Sequence, residues 1–154
     1  MLALSFILSW VVASTSAEGP DAANVLGSAL QVCSTEPMTG FFRNGRCTTG
    51  PSDRGVHVVC AEVTDAFLEF SRGRGNDLVS PAPEHRFPGL KAGDRWCLCA
   101  ARWKEAMEAG AAPSIVPSAT HEAALRIISP EDLENHALPS EPPTAPTDEA
   151  APAR

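Results

Sequence analysis

Five cysteines and four histidines are the side chains in this sequence whose chemistry goes beyond packing. A thiolate is a nucleophile and a soft metal ligand, and an imidazole is a base or a ligand, so spacing decides the use. In a reducing compartment Cys33, Cys47, Cys60 and His57 would supply four donors of the kind zinc takes. His57 and Cys60 stand three apart, on opposite faces of a regular strand, and would meet only across a bulge. No two cysteines carry the two-residue spacing of a metal knuckle. In an oxidising compartment the same five allow two bridges and one leftover thiol, and spacing alone does not choose the partners. Cys97 and Cys99 would share a face on a strand, but a helix turns them about 200° apart. On the helix reading Cys99 packs as a small hydrophobe, and Cys97, near the helix N-terminus, is the better placed of the two for a reactive thiol. Polar loop residues add Asp53, Arg54, Asn76, Asp77, His85 and Arg86, with Asp77 reading as an Asx turn or a ligand. His121 sits at a helix start and reads as a cap or surface residue, and His85 and His136 receive no role. The candidate ligand or thiol positions are therefore Cys47, His57, Cys60, Asp77 and Cys97. No two carboxylates are spaced to form an acid/base pair.

The elements that must position these residues are short and mixed, which predicts an α+β domain with about three to four helices and many irregular loops. Asn44-Gly45 within Gly40–Gly50 supplies two positive-φ positions for a tight hairpin between short strands, with Cys47 on it. VHVVCAEV at Val56–Val63 is β-branched and long enough for a central strand. Thr64 is an N-cap for a helix through Ser71 that Gly73 stops. Residues 73–93 are rich in Pro and Gly and read as a long irregular excursion with at most a strand at Leu78-Val79, and such loops are usually functional or mobile. On DRWCLCAARWKEAMEAG the residues Trp96, Cys99, Ala100, Trp103, Ala106 and Met107 fall in one apolar arc, which predicts a helix from Asp94 to Gly110. Short strands at Ile115-Val116 and Arg126–Ile128, a helical turn from Thr120 to Leu125 and a final helix opened by Ser129-Pro130 complete the reading.

Both ends separate from this region. Met1–Ala17 is apolar then small, a signal-like leader, although the first basic residue is Arg43. The alternatives are a translation start placed elsewhere and an uncleaved anchor. The leader is too short to span a bilayer, and no stable span is expected after its removal. Residues 139–154 hold five of the 14 prolines and no Leu, Ile, Val or aromatic, so they read as a disordered acidic tail. One domain over residues 22–138 remains, with 11 basic and 14 acidic side chains. A formal charge of −7 for the whole chain argues against a nucleic-acid partner. The expected location is the secretory pathway or an organelle if the leader is a true signal, and the cytoplasm otherwise.

The ordered motifs NVLG (Asn24–Gly27), TGFFRNGRCTTGP (Thr39–Pro51), HVVCA (His57–Ala61), GNDL (Gly75–Leu78), FPGL (Phe87–Leu90) and GDRWCLCAARWKEA (Gly93–Ala106) resemble the mainly bacterial family catalogued as domain of unknown function 2237. The resemblance implies no reaction, substrate or catalytic residue. This chain departs from the family pattern in carrying Arg46-Cys47 where the family tends to have two adjacent cysteines, and in its leader.

Three functions fit these residues. The first is a small-ligand or metal-binding protein, with zinc as the metal and Cys47, His57, Cys60, Asp77 and Cys97 as contacts. The second is a noncatalytic interaction module with structural cysteines and a protein partner. The third is a thiol redox protein acting through Cys97 or Cys47.

Overall fold

A computed structural model describes residues 22–139, so the leader and all but the first residue of the tail lie outside the described residues. The architecture is α+β: β1 (His57–Glu62), α1 (Asp65–Gly73), β2 (Arg95–Cys99), α2 (Ala100–Glu108), β3 (Ser114–Ile115) and α3 (Pro130–Asn135), with three short 3-10 turns among the loops. The three strands form one antiparallel sheet in the order β2-β1-β3, so the VHVVCAEV segment is central as its composition predicts.

The largest departure from the sequence reading is at Arg95–Cys99, which is strand rather than the first turns of a helix. The apolar arc of the helix reading left Cys97 and Leu98 outside, and both are buried. A strand pairing with β1 buries Trp96, Cys97 and Leu98 together, on two faces, which a single helical stripe does not do. Asp94 accordingly caps no helix. Its carboxylate accepts from the Lys91 amide at 3.0 Å and the Lys91 ammonium at 2.8 Å, closing the turn into β2.

Other local departures have similar causes. Residues 40–50 turn through positive φ at Gly40, Arg43 and Gly45 rather than at Asn44 and Gly45, and no strands flank the turn. The Asn44 side chain instead accepts from the Arg46 amide at 3.1 Å, an Asx turn that competes with a hairpin ladder. No strand forms at Leu78-Val79 or at Arg126–Ile128. The latter region starts on the last residue of a 3-10 turn, Glu122–Arg126, in which His121 Nδ1 accepts from the Ala123 amide at 2.9 Å. Capping signals read correctly at the remaining helices. Thr64 accepts from the Phe67 amide at 3.1 Å, and Ser129 from the Asp132 amide at 3.1 Å.

The ladder between β1 and β2 pairs His57 with Cys99, Val59 with Leu98, Cys60 with Cys97 and Ala61 with Trp96. One extra β1 residue is absorbed as a bulge between His57 and Val59. Directly opposed residues share a face, so the bulge brings His57 onto the face that carries Cys60, Cys97 and Cys99. The opposite set, Val59, Ala61, Trp96 and Leu98, joins Phe67, Trp103, Ile115 and Leu133 in the main hydrophobic core. Trp103 is fully buried and its indole donates to the Pro113 carbonyl at 3.0 Å. On the cysteine side Cys33, Cys47, Cys60, Cys97 and Ala119 form a second buried cluster.

Candidate functional site

The turn before β1 builds the site. Asp53 donates its amide to the Gly50 carbonyl at 3.0 Å and accepts the Val56 amide at 3.2 Å, which points its side chain back into the turn. That side chain is inaccessible to solvent. Its carboxylate accepts three hydrogen bonds: from Thr49 Oγ1 at 3.0 Å, from the His57 amide at 2.8 Å and from His57 Nδ1 at 2.6 Å. Burial pushes the Asp53 carboxyl up, but the His57 amide and ring and the Thr49 hydroxyl outweigh it and hold the group below its usual 3.8. A proton on Nδ1 aimed at the carboxylate leaves Nε2 as the working nitrogen of the ring.

Cys99 stands opposite His57 in the ladder. It is the free cysteine among the described residues and is partly exposed. Gly55 shows how close the two groups lie, because a Cβ placed on it would fall 2.5 Å from His57 Cε1 and 3.0 Å from Cys99 Sγ. Cys99 also occupies the N-cap of α2, whose first turn has no side-chain cap, and the Ala100 amide donates to the Val56 carbonyl at 3.1 Å. A helix N-terminus favours negative charge. The imidazole is raised from 6.5 to about 9, most by the neighbouring Cys99, against burial, with the Asp53 carboxylate adding to the rise. Phe41 stacks on the ring at 5.9 Å and 24°.

His57 is also one wall of an open cavity of about 640 Å³ lined by Phe41, Arg43, Asp77, Arg86 and Trp96 among others. Cys99 is not among its lining residues, so His57 is what the thiol and the cavity share. The Arg43 guanidinium lies 5.0 Å over the Trp96 ring and donates to the Gly40, His85 and Arg86 carbonyls. Burial, then the charge of Arg86, lowers the Arg43 pKa. Among the described residues neither arginine is ion-paired with a carboxylate. Arg43, Val56 and Arg86 are the described non-glycine residues with positive φ, between 51° and 53°. Arg43 and Arg86 line the cavity and Val56 precedes His57. Such backbone costs of order 1 kcal/mol or more per residue and gathers at functional sites.

The sequence candidates therefore divide. His57 lies at the centre, and Asp77 lines the cavity while its Oδ1 accepts the Val79 and Ser80 amides at 2.8 and 3.0 Å, an Asx turn as expected. Cys97 is no free thiol: it is bonded to Cys47, and Cys60 is bonded to Cys33, leaving the one thiol that two bridges require. The thiol left free is Cys99, assigned to the core by the helix reading. Asp53 was visible as a loop carboxylate four residues before His57, but its partner across the sheet was hidden with the strand at Arg95–Cys99.

Residues 23–137 match the family described as "Uncharacterized protein conserved in bacteria (DUF2237)". No curated protein matches the chain. No helix among the described residues is long and apolar enough to cross a membrane.

Proposed function

The chain belongs to the DUF2237 family, whose description assigns no reaction, and from its site we propose that it is a thiol-nucleophile enzyme acting on a small electrophilic ligand. The observation that carries this reading is the Asp53–His57–Cys99 constellation: a buried carboxylate orients an imidazole, and the imidazole stands beside the one free thiol. Cys99 is the nucleophile, His57 holds the proton and Asp53 fixes the ring. The Cys99 sulfur bonds to the electrophilic carbon of the ligand, and the departing group takes the proton held at His57 Nε2. The cavity carries both charges, Arg43 and Arg86 with Asp77 and Glu84, which favours a small polar ligand with an apolar part against Phe41 and Trp96. Two disulfides agree with an exported chain, since such bridges persist in oxidising compartments.

The test is alkylation at neutral pH with iodoacetamide, followed by intact mass and peptide mapping. Cys99 is expected to react at least tenfold faster than a free cysteine peptide, and the gain disappears in His57→Ala and falls in Asp53→Asn. Equal rates in wild type and His57→Ala would refute the assignment. A thiol redox reading draws on Cys97 and Cys99 sharing a strand face. In it the Cys99 sulfur attacks that of Cys97, the Cys47–Cys97 bond breaks, and Cys47 leaves as the thiolate. Peptide mapping tells the two apart, because alkylation then labels Cys47.

A further inference from the structure

The two disulfides do not staple distant parts of the molecule separately. They meet in one buried cluster, with Cys33 and Cys47 from loops and Cys60 and Cys97 from opposed positions of β1 and β2. The two sulfurs of the Cys47–Cys97 bridge and the Cys33 sulfur of the other bridge lie within 4.8 Å of one another. The fourth, on Cys60, is bonded to Cys33. Four thiolates around zinc, each about 2.3 Å from the metal, stand about 3.8 Å apart, so once the bridges open the Cys60 sulfur has to turn in toward the other three, which already lie within 4.8 Å of one another. The backbone is already held in place around it: the Cys60 amide donates to Thr120 Oγ1 at 3.2 Å and the Cys97 amide to Thr39 Oγ1 at 2.9 Å, and both threonines are fully buried.

We infer that Cys33, Cys47, Cys60 and Cys97 form a redox-gated metal site, closed as two disulfides and binding one zinc ion as four thiolates when reduced. Each disulfide takes two electrons and two protons from a dithiol reductant, which becomes a cyclic disulfide. Zinc then displaces the four thiol protons. A disulfide oxidant reverses the process, forming both bridges and releasing the ion. The site is separate from the Cys99 centre and does not depend on it.

Cobalt reports the site directly. Chain reduced with an excess of a phosphine under argon is titrated with Co²⁺ and then Zn²⁺. The expected result is one Co²⁺ per chain, with the visible bands of tetrahedral cobalt and a near-ultraviolet thiolate charge-transfer band, both abolished by one equivalent of Zn²⁺. Cys99→Ala should leave these spectra unchanged, and Cys33→Ala with Cys60→Ala should remove the charge-transfer intensity by about half or more. Since that double variant also loses a bridge, wild type supplies the second measurement. Adding diamide to the zinc-loaded chain should release one zinc per chain to a chromogenic chelator as the intact mass falls by four hydrogens. Reduced wild type that takes up no cobalt, cobalt bands that vanish in Cys99→Ala, or reoxidation without zinc release would each overturn the inference.

Discussion

The titration of His57 is the most direct probe of the site. Its ring is raised from 6.5 to about 9, first by the neighbouring Cys99 and further by Asp53, while burial opposes the rise. At about 1.4 kcal/mol per pH unit the full shift would be worth about 3.4 kcal/mol. Solvent reaches 33% of the side chain, and screening reduces this to about 1–2 kcal/mol. The folded value lies above the unfolded one, so this stability is fully present below pH 6.5 and is lost as pH rises through about 9. Removing the sulfur in Cys99→Ala should move the ring back toward 6.5. Asp53→Asn should lower it by less, because the carboxylate contributes less than the thiol. Two-dimensional NMR of the histidine rings across pH 5 to 10 follows the titration, and urea unfolding at about pH 6 and about pH 9.5 follows the stability. A His57 ring that titrates near 6.5 in the wild type, or near 9 in Cys99→Ala, refutes the pairing.

Gly55 offers a steric test of the same contact. Gly55→Ala places a methyl 2.5 Å from the His57 ring and 3.0 Å from Cys99 Sγ, so alkylation of Cys99 should slow at least tenfold while circular dichroism stays unchanged. Reduction of the disulfides in metal-free buffer should lower the thermal midpoint. Their sequence separations of 27 and 50 correspond to about 3.5 and about 4 kcal/mol of lost chain entropy, less than additive because the two loops overlap. Trp103→Ala should cost about 3–5 kcal/mol by denaturant unfolding, since it opens a cavity in the main core and strands the Pro113 carbonyl.

How much of this was legible in the sequence follows from the range over which each signal acts. Thr64, Ser129 and the β-branched run at Val56–Val63 act through neighbouring backbone, and each took the form its local chemistry dictates. Arg95–Cys99 is different, because RWCLC satisfies both a helical stripe and a period-2 alternation, and only the presence of β1 beside it selects the strand. The sulfur assignments inherited that choice. With a helix, Cys97 and Cys99 diverge, Cys97 takes the helix N-terminus, and Asp53 and His57 have no thiol opposite them. Moving the helix start to Ala100 transfers the N-cap to Cys99 and gives Cys97 to a bridge.

The β1 bulge explains why one face holds so much chemistry. In a regular β1, His57 and Cys60 would point to opposite sides, and a histidine opposite Cys99 would require the cysteine cluster to lose Cys60. The extra residue between His57 and Val59 removes that conflict, so a buried sulfur cluster and a half-exposed imidazole–thiol pair occupy consecutive positions of the same ladder. The cost is a backbone held at positive φ at Val56, whose carbonyl accepts the first amide of α2 and so fixes where the helix beginning after Cys99 can start. The strained residue, the bulge and the helix start thus form one connected arrangement. Its geometric product is the placement of a single free sulfur against a ring that Asp53 has already oriented.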